Sequence, residues 1–490
     1  MIHTQVRIHD KFSVEFKIGF FTSENKDKDR NRFKINSWIF LPNGLDINRH
    51  TYLKEQFYSD VKSNVRLITP IYALNEILTE GRGPFPRLER AIEKYLSEPS
   101  DENAENYTYQ LKMLLCIVKS ALRNNCYRID RNKKEKQPIE RFAQDLTKII
   151  NRFRMLRNEV LQDNRIPDEL KEYFLFGDEF LTFITEDNLF NLLKTTKTCC
   201  DYNSIKTILQ ALLENENQNR LQMGYSFFSE KEEGEHNSLM LIKKSLLKKF
   251  VESDLYLQRI KKADGALARE FYYSVAAGIA MIFATIISFL ATQRFGNFTM
   301  ALFFALVVSY VFKDRIKEMA RYYFSSKLDQ KYFDWKWNVS VRNQKIGWIK
   351  EAFDFISEKN VPDEIMELRN KSPLVKAENK VYDEQVILYR KRVELFRNDL
   401  EKYKEYHLSG INDIIRLNLI SFTKKMDNPT IPIHLLDEKN ETKIIQGKRV
   451  YALYFILECQ SEGESYFKKY RLFLNRDGIS DVKEIGLSEK

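Results

Sequence analysis

Three of the four tryptophans, Trp335, Trp337 and Trp348, fall in one stretch, residues 321–350. Interleaved with them are Arg321, Lys327, Lys331, Lys336, Arg342 and Lys345, with Tyr322, Tyr323, Phe324, Tyr332 and Phe333 beside them. Aromatic faces stack on bases and on cations, and cations neutralise phosphate. The pattern therefore predicts a site for an anionic ligand, a nucleotide or oligonucleotide, or for lipid headgroups. Two plainer readings compete: the tryptophans pack a core, and Tyr322–Phe324 anchor at a membrane interface. A second basic cluster, Arg123, Arg128, Arg131, Lys133, Lys134 and Lys136, reads as a solvated loop.

Motifs that carry catalysis are missing: no P-loop, GxGxxG, HExxH, GxSxG or kinase signature occurs. The six histidines are too scattered to define a metal site. Gly177-Asp178-Glu179-Phe180 resembles the nucleotide-cyclase tetrapeptide but lacks the preceding glycine and the flanking α/β pattern. The expectation is a protein that is not an enzyme and has no cofactor or metal. Five cysteines without a CxxC pair read as reduced thiols, with Cys199 and Cys200 as small buried hydrophobes.

The elements that must position these residues span 490 residues with a net charge of +10. Disorder is excluded as the general state by 43% hydrophobic and 13% aromatic residues. Phe271–Gln293 carries no charge and as a helix is about 33 Å long, enough for a bilayer core of roughly 30 Å. Residues 297–312 form a second uncharged run, about 24 Å as a helix. Together they predict a two-helix transmembrane hairpin, 271–312. Arg259, Lys261, Lys262 and Arg269 precede it, Lys313, Arg315, Lys317 and Arg321 follow, and the turn holds Arg294. The positive-inside bias then puts both termini in the cytoplasm and makes the chain a multi-pass protein of a bacterial inner membrane. Ala276, Ala280, Ala284, Ser288 and Thr292 line one side of the first span; Ala301, Ala305 and Ser309 line the second. Such stripes either pack inside one hairpin or form an oligomer seam or pore lining.

The expected fold class is an α+β membrane protein: N-terminal strands, a helical region, the hairpin, a helical stalk and a small C-terminal β-region. The boundaries are a cytoplasmic α+β domain 1–213 and a polar linker 214–237. A basic amphipathic juxtamembrane helix (238–270), the hairpin (271–293 and 297–312), a basic aromatic stalk (313–350) and a second cytoplasmic domain (351–490) follow. Alternation at His3–His9, Phe12–Phe21, Phe33–Leu41, Lys448–Glu458 and Tyr466–Leu474 predicts strands, with Asn475-Arg476-Asp477-Gly478 as a hairpin turn.

Three segments resemble a group of uncharacterised bacterial two-span membrane proteins. They are Trp38-Ile39-Phe40-Leu41-Pro42-Asn43, the pair Tyr52–Asp60 and Arg66–Pro70, and Phe422–Pro429. In architecture and charge the layout is also similar to membrane effectors of bacterial anti-phage systems, the Hailong effector type. That likeness implies a partner nucleotidyltransferase and an anionic oligonucleotide that opens a homo-oligomeric channel; it assigns no ligand residue. Two functions are therefore expected. One is an oligomeric pore or effector gated by cytoplasmic sensing domains, and the other is a membrane-tethered scaffold without channel activity.

Overall fold

The computed structural model describes residues 1–22, 29–81, 83–131, 136–198, 201–228, 234–296, 299–341, 344–379, 384–401, 406–436 and 441–486. Cys199, Cys200, Arg342, Lys133 and Lys134 lie outside them. In chain order the first elements are β1 (Ile2–Ile8), β2 (Ser13–Phe21), β3 (Arg30–Leu41), α1 (Lys54–Asp60) and β4 (Val61–Leu67). Six helices follow: α2 (Pro84–Ser97), α3 (Asp101–Arg131), α4 (Lys136–Gln162), α5 (Asp168–Thr195), α6 (Tyr202–Met223) and α7 (Glu235–Glu252). Then come β5 (Gln258–Ala263), α8 (Ala266–Phe295), α9 (Met300–Lys331), β6 (Trp335–Val341), β7 (Gln344–Ile356), α10 (Asp363–Arg369) and β8 (Gln385–Phe396). The chain closes with β9 (Gly410–Asn418), β10 (Thr430–Leu436), β11 (Thr442–Lys448), β12 (Tyr451–Ser461), β13 (Glu464–Asn475) and β14 (Gly478–Ile485). Two compact units result: residues 1–65, 258–403 and 410–490 form one, and 66–257 with 404–409 the other.

The first unit is built on an eight-stranded sheet, ordered β14-β13-β12-β3-β8-β7-β6-β5, with every neighbouring pair antiparallel. Its central strand β3 alternates in its first half, and its second half, Trp38–Leu41, is apolar and buried on both faces, as a segment covered twice must be. Trp38 and Phe40 point to one side, where Val361 and Ile365 at α10 join Val386 and Ile456 over them. Ile39 and Ser37 point to the other, toward a four-stranded sheet ordered β1-β2-β9-β4. Between the sheets Phe16 meets Phe455 at 5.3 Å and Phe20 meets Phe33 at 5.3 Å. A cavity of about 30 Å³, room for little more than one water, is lined there by Phe16, Ile39, Phe57, Ile415 and Leu457.

The second unit is helical. Leu111, Leu114, Leu115, Ile117, Val118 and Leu122 of α3 are all buried, and Phe153 stacks on Phe174 at 4.7 Å. The cyclase-like tetrapeptide sits inside α5. A Cβ on Gly177 would come within 2.9 Å of Leu115 Cδ1, so the glycine lets α5 approach α3 closely. Asp178 is fully buried and accepts from Arg157 Nη1 (2.7 Å) and the Tyr225 hydroxyl (3.0 Å). The segment is packing and ion pairing.

The two-helix transmembrane hairpin is corrected. Among the described residues one helix, α8, is long and apolar enough to cross a membrane, and 17% of its apolar stretch is buried. The helical part of the second run, Met300–Phe312, has 13 residues and is about 20 Å long, short of the hydrocarbon core. Lys313, Asp314, Arg315 and Lys317 then follow in the same helix. With one such helix among the described residues, a multi-pass topology is not supported. α8 and α9 do pack together, antiparallel: Tyr272 meets Phe324 at 5.3 Å, and Ser309 Oγ donates to the Ala284 carbonyl at 3.4 Å.

The fold class is corrected as well, to a mixed α/β fold with large sheets. The C-terminal strands do not form one small β-region: β12 to β14 extend the large sheet from β3, and β10 and β11 pair in a two-stranded sheet of their own. The helical stalk ends at Lys331, and its aromatic half forms β6 and β7. Upstream, α7 ends at Glu252 and the chain turns into β5 before α8 begins.

Candidate functional site

Both ends of the α8–α9 pair join the edge of the large sheet. β5 leads into α8 through Asp264 and Gly265, and α9 leads into β6 through Tyr332, Phe333 and Asp334. Ala263 and Trp335, on the two sides of this junction, are directly opposite in the ladder. Asp264 Oδ2 accepts from the Phe333 amide (3.2 Å) and from Lys350 Nζ (2.9 Å). Asp334 accepts from Lys54 Nζ (2.7 Å), the Tyr58 hydroxyl (2.8 Å) and the Phe353 amide (2.8 Å). Charge-assisted bonds of this kind are the stronger ones, so the root of the apolar helix is firmly held.

Alternation sorts the basic and aromatic residues onto two faces. On one, Lys261 Nζ lies 3.8 Å from the centre of the Trp335 ring and 5.3 Å from Trp337, and Arg259 lies 4.8 Å from Trp337. On the other, cations line up across five neighbouring strands. Lys262 is opposite Lys336, Lys336 opposite Lys350, Lys350 opposite Arg392, and Arg392 opposite Lys34. Lys336 and Lys350 both lie over Trp348, at 5.6 and 5.4 Å, and Arg390 and Arg392 both lie over Phe333. Burial, and after it the neighbouring Arg390, push the Arg392 guanidinium down to about 10, with Glu458 acting against them. Like charges directly opposite each other destabilise a sheet by a few tenths to about 1 kcal/mol per pair. An anionic surface laid over the row would reverse that sign.

Of the residues singled out by sequence, Trp335, Lys336, Trp337 and Trp348 thus share the β5–β6–β7 edge. Arg321 lies over Tyr273 (5.5 Å) and reaches Glu318 (3.3 Å), Lys327 lies over Tyr323, and Lys331 over Tyr332. Lys345 lies over Phe396, away from the cation row. Arg342 is outside the described residues. In the helices, Ala276, Ala280 and Ser309 are buried, Ala284, Ser288 and Ala305 half-buried, and Thr292 and Ala301 exposed.

No protein family, curated protein or solved structure matches this chain. Nothing in these comparisons bears on the resemblances drawn from sequence, and the site is argued from its geometry. It adds Arg259, Lys261, Lys262, Lys350, Arg392 and Lys34 to the site. Their pairing spans up to several hundred residues of chain, so spacing along the sequence could not reveal it. Among the described residues no cluster of His, Cys, Asp and Glu is arranged to hold a metal ion.

Proposed function

We propose that this chain is a membrane-tethered binding protein whose large sheet sits against an anionic lipid surface. The observation that carries the reading is the row of five directly opposed cations, which starts on the strand feeding the apolar helix α8. α8 is the anchor: Phe271, Ile282, Phe289 and Leu290 are among its exposed side chains, a surface that water disfavours and hydrocarbon accepts. Tryptophan and lysine at its root are the residues that prefer the headgroup layer. Basic residues near an anionic leaflet contribute about 1 kcal/mol each. Five of them would set orientation and leaflet preference, while the helix supplies retention. A bacterial inner membrane is the setting this reading takes.

Tethering is preferred over a pore because three of the small residues, Ala276, Ala280 and Ser309, are taken up within the helix pair. Ala276 and Ala280 are buried there and Ser309 bonds to Ala284 across it.

The test uses the full chain in membranes. After alkaline carbonate washing the wild type should stay with the membrane fraction, and Ile282→Asp/Phe289→Asp should be released. Vesicles of phosphatidylcholine with phosphatidylglycerol should capture more protein than phosphatidylcholine alone, and Lys262→Gln/Lys336→Gln should erase that difference. Release of the wild type by carbonate, or equal capture by both vesicles, would refute the proposal.

A further inference from the structure

The second unit holds a polar pocket of about 360 Å³ between α2 and α3. Arg87, Arg90 and Lys94 project from one side of α2 at the i, i+3, i+7 spacing of a single helix face. Asn106 and Gln110 face them from α3, one turn apart. Among the described residues no carboxylate lines the pocket. Glu89, on the same helix, is engaged by Arg152.

The lining is pre-positioned. Arg87 lies over the Tyr406 ring at 4.5 Å, and the Tyr406 hydroxyl donates to Gln110 Oε1 at 2.8 Å. One ring thus orients both an arginine on α2 and an amide on α3. Arg87 Nη1 is buried and has no hydrogen-bond partner among the described residues. A guanidinium nitrogen removed from water without an acceptor is unfavourable, and an anion oxygen is the acceptor that fits. Arg90 and Lys94 are exposed at the rim, where they add charge without supporting the core.

We infer that this pocket binds a small phosphate-bearing polyanion. Three cations against no acid select for more than one negative charge, and planar guanidinium groups match phosphate oxygens two at a time. The volume falls in the range of small-molecule sites and exceeds what a lone phosphate fills. The site is separate from the sheet edge proposed for the membrane, and neither reading depends on the other.

Titration calorimetry on the full chain in detergent, with inorganic pyrophosphate and with ADP as probes, tests this. Saturable binding of at least one probe is expected, at one site per chain, weakening as salt rises. Arg90→Gln/Lys94→Gln should weaken it at least tenfold with unchanged thermal melting, since both side chains are exposed. Lys262→Gln, in the other unit, should leave it unaltered. Tighter binding of ADP than of pyrophosphate would assign a nucleoside phosphate, and equal binding a free phosphate compound. Failure of both probes to saturate, or equal affinity in wild type and Arg90→Gln/Lys94→Gln, would overturn the inference.

Discussion

At the scale of single residues, the most consequential charge of the first unit is Lys391. It is buried between the sheets, with Glu351 at 2.9 Å and Asp413 in direct contact. Asp413 also accepts from Ser63 Oγ (2.7 Å), which in turn accepts from Arg259 Nη1 on β5 (3.4 Å). Burial alone would pull the Lys391 ammonium down, but Asp413 and Glu351 outweigh it and hold the pKa above the usual lysine value. Removing the cation leaves two buried carboxylates without a partner. Lys391→Met should therefore lose about 3–5 kcal/mol in urea denaturation, and Lys391→Met/Glu351→Gln/Asp413→Asn markedly less. The sign of the pH effect follows from the raised pKa. The contribution is fully present below the unfolded value of about 10.4 and is lost as pH climbs through the higher folded value. On the alkaline side, the gap between wild type and Lys391→Met should accordingly narrow as pH climbs through that folded value. Glu15 has the opposite behaviour. Burial alone would raise it, but hydrogen bonds from Arg416 and Arg7 outweigh burial and lower its pKa. Its stabilisation is present above the unfolded value of about 4.3 and lost as pH falls through the lower folded value. Arg416→Gln should flatten the loss of stability that wild type shows on acidification from neutral pH to about pH 3, followed by chemical denaturation.

Among the elements, the junction between β5 and α8 is the most constrained. Gly265 has φ +69°, and a Cβ there would lie 2.5 Å from the Tyr332 ring. Two separate penalties meet at this position: the left-handed backbone costs a non-glycine residue about 1–2 kcal/mol, and the ring must also move. Gly265→Ala should lower the melting temperature. Gly265→Ala/Tyr332→Ala should recover the part due to the clash, while Gly265→Asn should recover part of the backbone cost alone, because asparagine tolerates that conformation but its Cβ meets the same ring. Equal melting of Gly265→Ala and wild type would show that the junction is not a rigid mount.

For the whole molecule, attachment divides into a part that salt screens and a part that it does not. The cation row acts through charge and fades beyond a Debye length of about 8–10 Å at ordinary ionic strength. α8 acts through burial of apolar surface, which added salt does not weaken. High-salt washing should thus leave the wild type in the membrane yet abolish its preference for anionic vesicles. Ile282→Asp/Phe289→Asp should become fully salt-extractable, because only the charged contact remains. Membrane flotation at low and high salt separates the two.

The amino-acid sequence by itself determined the local elements with strong periodicity. The strands at Ile2–Ile8, Ser13–Phe21, Arg30–Leu41 and Glu464–Asn475 follow alternation, and the Asn475 turn forms as its residues demand, with Asn475 Oδ1 accepting from the amides of Asp477 and Gly478. The apolar length of α8 was legible for the same reason, since hydrophobicity and helix rise are local properties. Which strands become neighbours was not, because β3 pairs with β8 and β12 across more than 340 residues of chain, and local pattern carries no record of partners. Trp335, Trp337 and Trp348 announced an aromatic, basic site. Only tertiary pairing decided that Lys262, Lys336, Lys350, Arg392 and Lys34 stand side by side. Helix α9 shows the reverse error: its apolar run looked like a span until the helix start at Met300 shortened it and the charged turns after Phe312 proved continuous with it.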